Sequence, residues 1–164
     1  MNIHKNARLT PRGRERPVLA ILRGRIPKAA GLYMICTLSK HRAEKKGYAD
    51  AMMLDWQGRV AECTGANIFF TRDGALHTPL ADCFLDGITR QTVIALAKEQ
   101  GLDVIERRIM PEELKTFNEC FIVGSAAEVT PVSEIGPYGF KPGNISRALM
   151  DAYSNAVRPS AKAA

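Results

Sequence analysis

Asp73-Gly74 stands between two apolar runs, 66–72 and 75–78. An Asp-Gly pair suits the positive backbone angles of a two-residue turn, so the two runs are predicted to pair as an antiparallel hairpin. That hairpin puts a sheet at the centre of the chain, and the flanking segments must extend and cover it. Upstream, 51–56 and 59–62 read as two short strands joined at Gln57-Gly58. Downstream, strands are predicted at 102–109, 120–123 and 129–135, followed by a Gly/Pro loop over 136–143.

Helices fill the gaps. Ala29, Leu32, Tyr33 and Cys36 share one helical face, predicting an amphipathic helix from Lys28 to about Lys46 that Gly47 closes. A second helix is expected from about Thr89 to Gln100, ended by Gly101 with Lys98 in its last turn. Pro111-Glu112-Glu113 opens a short third one, and the last runs from about Ile145 to Val157. Short strands mixed with helices, without regular strand–helix–strand alternation, give an α+β fold.

A chain of 164 residues suffices for one core. The formal charge of +6 is uneven: residues 1–28 hold eight basic side chains and one acid, Glu15, while the remainder holds 15 basic and 16 acidic groups. The near-neutral body carries no electrostatic footprint for nucleic acid, and no nucleic-acid partner is expected. No apolar run approaches the ~18 residues of a membrane span, so no membrane partner is expected either. The expected layout is a basic, poorly ordered tail at 1–27, a folded domain at 28–159 and a short tail at 160–164. Cys36, Cys63, Cys83 and Cys120 form no CxxC pair, and no signal peptide precedes them. They read as reduced thiols of a cytoplasmic protein, without a metal or disulfides.

Four places could carry chemistry. Lys28 lies where an irregular segment meets a helix, a position the macrodipole disfavours for a cation. It is either an exposed lysine or a Schiff-base lysine, with Ala29-Ala30-Gly31 leaving room for a flat cofactor. Glu62 is either a charge at a strand end or the carboxylate that keeps a pyridine nitrogen protonated. The segment Leu85-Asp86-Gly87-Ile88-Thr89-Arg90 runs a turn into a helix. There the N–H groups of Ile88 and Thr89 could cradle a phosphate, or Asp86 or Thr89 could cap the helix. Gly124-Ser125-Ala126-Ala127 offers small residues after a strand, for a second anion or for a plain turn.

Together these spell a pattern. Glu62-x-Thr64-x-x-Asn67-Ile68-Phe69, Leu76-x-Thr78 and Leu85-x-Gly87-Ile88-x-Arg90, spread over 29 residues, resemble the signature of class IV pyridoxal-phosphate aminotransferases. Lys28-Ala29-Ala30-Gly31-Leu32-Tyr33 looks like the lysine segment of that family. The run from Gly124 to Val132 looks most like branched-chain amino-acid aminotransferases, less like D-amino-acid aminotransferases or aminodeoxychorismate lyases.

The resemblance implies the large cofactor-binding domain of these enzymes, a pseudo-barrel of mixed short strands flanked by helices, and a homodimer. It implies pyridoxal 5'-phosphate as cofactor, and amino-acid and 2-oxo-acid substrates: Leu, Ile or Val with 2-oxoglutarate. Lys28 matches the lysine that binds the cofactor covalently and later moves the proton. Tyr33 matches the tyrosine on the cofactor's phenolic oxygen, and Glu62 the carboxylate on its ring nitrogen. Ile88, Thr89 and Ser125 match phosphate-binding positions, and Ala126 and Ala127 the loop that receives the substrate carboxylate. The family has an N-terminal domain before its lysine. Only 27 residues precede Lys28 here, so the chain is expected to lack that domain and its phosphate-contacting arginine, for which Arg23 and Arg25 are the nearby substitutes. The alternatives are another class IV activity, a D-amino-acid aminotransferase or an aminodeoxychorismate lyase, or a non-catalytic truncated remnant of the same fold.

Overall fold

The computed structural model describes the backbone of residues 2–3 and 28–158, and side chains from Met34 to Arg158. The expected tails at 1–27 and 160–164 therefore lie outside the described residues, apart from the short strand β1 (Asn2–Ile3).

Helix α1 (Lys28–Glu44) comes first among the larger elements. It ends as the sequence predicts: Gly47 takes φ +81°, and the Gly47 and Tyr48 N–H groups bond back to the Glu44 and Ala43 carbonyls. Its inner face is small, with Ser39 and Ala43 buried while Met34 and Leu38 remain exposed. Strands β2 (Ala51–Leu54) and β3 (Val60–Cys63) follow and pair antiparallel, and β1 pairs parallel with β2.

The main sheet runs in the order β6-β5-β4-β7-β8, from β4 (Asn67–Arg72), β5 (Ala75–Pro79), β6 (Val104–Arg107), β7 (Glu119–Gly124) and β8 (Glu128–Pro131). The β4–β5 hairpin turns where predicted, with Asp73 at φ 53° and Gly74 at φ 78°. Helix α2 (Ile88–Glu99) links β5 to its parallel neighbour β6, a strand–helix–strand unit inside an otherwise antiparallel sheet. A 3-10 helix (Pro111–Thr116) precedes β7. The predicted strand at 129–135 is in fact two: the chain breaks after β8, and Glu134–Ile135 (β9) pairs instead with Tyr138–Gly139 (β10), inside the segment predicted as a loop. Helix α3 (Asn144–Val157) closes the fold. The sheets remain separate and do not close into a barrel among the described residues.

Alternation along β4 explains the layers. Ile68 and Phe70 point into one core with Met52, Leu54, Phe117 and Phe140, beneath the small sheet. Phe69 points the other way, into a core with Val93, Ala97, Leu149 and Tyr153 from α2 and α3. Phe69 stacks on its cross-strand partner Phe121, ring centroids 5.2 Å apart. The central strands are thus covered on both faces, and function is left to the edges where strands end.

The last helix is capped from a distance. Glu119 Oε2, on β7, accepts hydrogen bonds from Gly143 N (2.8 Å) and Ser146 N (2.9 Å), so a buried carboxylate serves the start of α3. No helix among the described residues is long and apolar enough to cross a membrane.

Candidate active site

The register of the main sheet builds one functional edge. Because β4 runs antiparallel to both β5 and β7, its first residue lies beside the last residues of those two strands: Asn67 pairs with Val123. Strand β3 delivers its end to the same place, where Cys63 N donates to Ala66 O just before β4 begins. Helix α2 starts there too, after the loop that leaves β5, the usual location for ligands in a strand–helix–strand unit.

These ends enclose a cleft of about 940 Å³. Glu62, Ile88, Thr89, Ser125 and Ala126 all line it, so five of the eight sequence-derived site residues converge. Ala127 lies beyond it, in an adjoining hollow of about 430 Å³ that Ala126 also borders. Lys28 is the first residue of α1. Its side chain and that of Tyr33 lie outside the described residues, as do Arg23 and Arg25.

Glu62 is the unusual group. It is half-buried, and among the described residues it has no hydrogen-bonding or ionic partner. Burial pushes its carboxyl up to about 7. The two other carboxylates lining the cleft differ: Asp55 is buried, but hydrogen bonds from the Arg59 backbone and guanidinium and from Gln57 N hold it below the usual range, and the exposed Asp82 also pairs with Arg59. No lysine or arginine among the described residues lines the cleft. Glu62 therefore lines the cleft with no balancing cation among the described residues.

Opposite chemistry is offered at α2. Gly87 is its N-cap residue, no side chain caps the helix, and no acid occupies its first turn. Asp86, a capping candidate from sequence, bonds to Arg90 Nη1 instead, at 2.6 Å. The first-turn N–H groups are thus available to an anion. Ile88, 84% exposed, marks this corner as open. Two glycines keep the walls close. A Cβ on Gly87 would come within 2.7 Å of Asn67 Oδ1, and one on Gly124 within 3.2 Å of Gly65 O.

The remaining signature residues hold the frame. Asn67 Nδ2 donates to Leu85 O at 2.9 Å and fixes the loop before α2. Thr78 Oγ1 donates to Ile68 O at 2.9 Å, inside the core. Thr64 Oγ1 donates to Asp50 Oδ1, which also accepts from Ala51 N. Sequence reasoning missed the apolar lip of the cleft, Met53, Trp56 and Phe84, which carries no motif. The cleft thiols are poor nucleophiles. Burial first, then Glu62 and Asp50, raises Cys36, while burial and Asp82 push Cys83 up to about 11.

A half-buried carboxylate without a partner among the described residues, and free helical N–H groups in the same cleft, suit a ligand with a cationic ring nitrogen and a phosphate. Residues 26–135 match the family described as amino-transferase class IV. The chain belongs to that family. It is 44% identical over 135 residues to a probable branched-chain-amino-acid aminotransferase of Rickettsia bellii, covering 80% of this chain and 47% of that protein. The branched-chain-amino-acid aminotransferase of Pseudomonas aeruginosa is 44% identical over 108 residues, covering 66% and 35%.

Among solved structures, the branched-chain aminotransferase of Thermoproteus uzoniensis with norvaline aligns at TM-score 0.82 and 33% identity, over 98% of this chain and 52% of that one. That of Thermobaculum terrenum in its PLP form aligns at TM-score 0.73 and 41% identity, over 76% and 42%. The chain spans less than half the length of the sequence relatives it matches here.

Proposed function

We infer that residues 28–159 form the cofactor-binding domain of a pyridoxal-phosphate-dependent branched-chain amino-acid aminotransferase. The reaction is transfer of an amino group between Leu, Ile or Val and 2-oxoglutarate. The observation that carries this reading is Glu62, a cleft carboxylate with no partner of its own among the described residues, in a cleft that the uncapped start of α2 also lines. The relatives named as branched-chain aminotransferases support the substrate class. The family resemblance supports a homodimer, and four reduced thiols suit the cytoplasm.

The cleft fits the cofactor in charge and size. When bound, pyridoxal phosphate supplies an electron sink conjugated to the carbon that exchanges its amino group. Glu62 would keep a proton on the ring nitrogen by offering it a carboxylate in a site of reduced polarity. The N–H groups of Ile88, Thr89 and Ser125 take the phosphate, with no cationic side chain required from the described walls. Lys28 would supply the amine that holds the cofactor and the base that moves a proton at the substrate α-carbon. Tyr33 donates to the ring oxygen. Ala126 and Ala127 present backbone N–H groups to the substrate carboxylate.

Borohydride reduction of the chain with pyridoxal phosphate, followed by peptide mapping, is expected to place the pyridoxyl label on Lys28. Labelling confined to other lysines, and unchanged by Lys28→Ala, refutes the assignment.

A further inference from the structure

Arg90 is the third residue of α2, yet it is not part of the cleft wall. Its side chain is 1% exposed. An arginine in the first turn of a helix stands beside the positive end of the dipole and ordinarily reaches for solvent. Here the guanidinium turns inward. Nη1 donates to Asp86 Oδ1 at 2.6 Å, and Nη2 to Glu106 Oε2 at 2.6 Å and to Pro79 O at 3.0 Å. The partners come from three places: the loop before α2, strand β6 and the end of β5.

Stability is a poor explanation for this arrangement. Burying the guanidinium is costly while its two carboxylate partners are themselves half-exposed and screened, and an apolar side chain of similar volume commonly does as well or better. Nε is also buried and has no hydrogen-bond partner among the described residues, a further cost. What the planar fork provides is direction, since one guanidinium ties together two carboxylates and a carbonyl from three separate segments. From the other side, Asn67 holds the same loop through Leu85 O. Gly87, Ile88 and Thr89 are therefore clamped between two side chains.

We propose that Arg90 is a positioning residue that sets the Ile88 and Thr89 N–H groups for a phosphate monoester bound in the cleft. This rests on the reading of the cleft as a pyridoxal-phosphate site. Arg90 does not touch the phosphate; it acts through the backbone that does.

The test uses the full chain as wild type, Arg90→Met, Arg90→Lys and Asp86→Asn, titrated with pyridoxal 5'-phosphate and with pyridoxal. The readout is the ratio of the two Kd values, beside Tm. A residue that merely supports the fold weakens both ligands together and leaves the ratio alone. Arg90→Met is expected to lower the preference for the phosphorylated ligand by about tenfold or more. Arg90→Lys should recover part of it, because one ammonium reaches one carboxylate at a time. Asp86→Asn alters a half-exposed partner and is expected to fold and to shift the ratio in the same direction, so the test does not depend on the core variant alone. An unchanged ratio in both Arg90→Met and Asp86→Asn overturns the proposal, as does a parallel loss of both ligands. A wild type that binds the two ligands equally removes the phosphate reading itself, and the proposal with it.

Discussion

Glu62→Gln separates what the cleft does for binding from what it costs the fold. The folded chain holds the Glu62 proton more tightly than the unfolded chain, because burial raises the carboxyl from 4.5 to about 7. Below pH 4.5 both states are protonated and the group is neutral in the balance. As pH rises toward 7 the unfolded chain ionises first, so stability falls, and above 7 the loss is complete. The whole shift corresponds to about 3 kcal/mol. Since the side chain opens onto the cleft and is partly screened, about 2 kcal/mol is expected. Glutamine keeps the size and removes the charge. The ligand-free Glu62→Gln chain should therefore be more stable than wild type at pH 8 by about 2 kcal/mol, shrinking to a small fraction of that by pH 4.5. Urea unfolding at the two pH values measures this. Binding should move the other way, with pyridoxal phosphate held more weakly by the variant. A variant no more stable than wild type at pH 8, or one whose advantage is independent of pH, would refute the argument.

Two further outcomes test the frame around the cleft. Gly87→Ala drives a methyl to within 2.7 Å of Asn67 Oδ1, so the amide must move and loosen its bond to Leu85; urea unfolding should show a cost of about 1–2 kcal/mol and titration a weaker grip on pyridoxal phosphate. Glu119→Ala leaves the Gly143 and Ser146 N–H groups without their carboxylate, and equilibrium unfolding should register a loss of about 2–4 kcal/mol, with α3 amides exchanging faster than those of the central strands.

Local chemistry was legible where one stretch of chain decides its own shape. Asp73-Gly74 announced a turn, Gly47 and Gly101 announced helix ends, and each takes a positive φ in the structure. The 129–135 run misled because its apolar residues continue across Val132-Ser133, while the ladder to β7 ends at Pro131 and the next pairing belongs to another sheet. Nothing local marks that change of partner. The helix cap supplied by Glu119 was hidden for the same reason, since a sequence reveals only caps that stand immediately before the helix. Arg90 was recognisable as part of a motif but not as a buried group; its i,i+4 spacing from Asp86 was the one available hint. Of the site itself, Glu62, Ile88, Thr89, Ser125 and Ala126 could be named because a family pattern singles them out, whereas the apolar lip made by Met53, Trp56 and Phe84 carries no such mark.

Trp56 has one more consequence. It is the sole tryptophan of the chain, it borders the cleft, and it is 69% exposed. Its fluorescence therefore comes from a single known place, so the molecule carries its own optical gauge. An absorbing ligand seated in the cleft quenches the indole by energy transfer. A surface cover laid over the lip shifts its emission toward the blue by taking it out of water. Occupancy and enclosure can thus be followed separately, in real time and without a label.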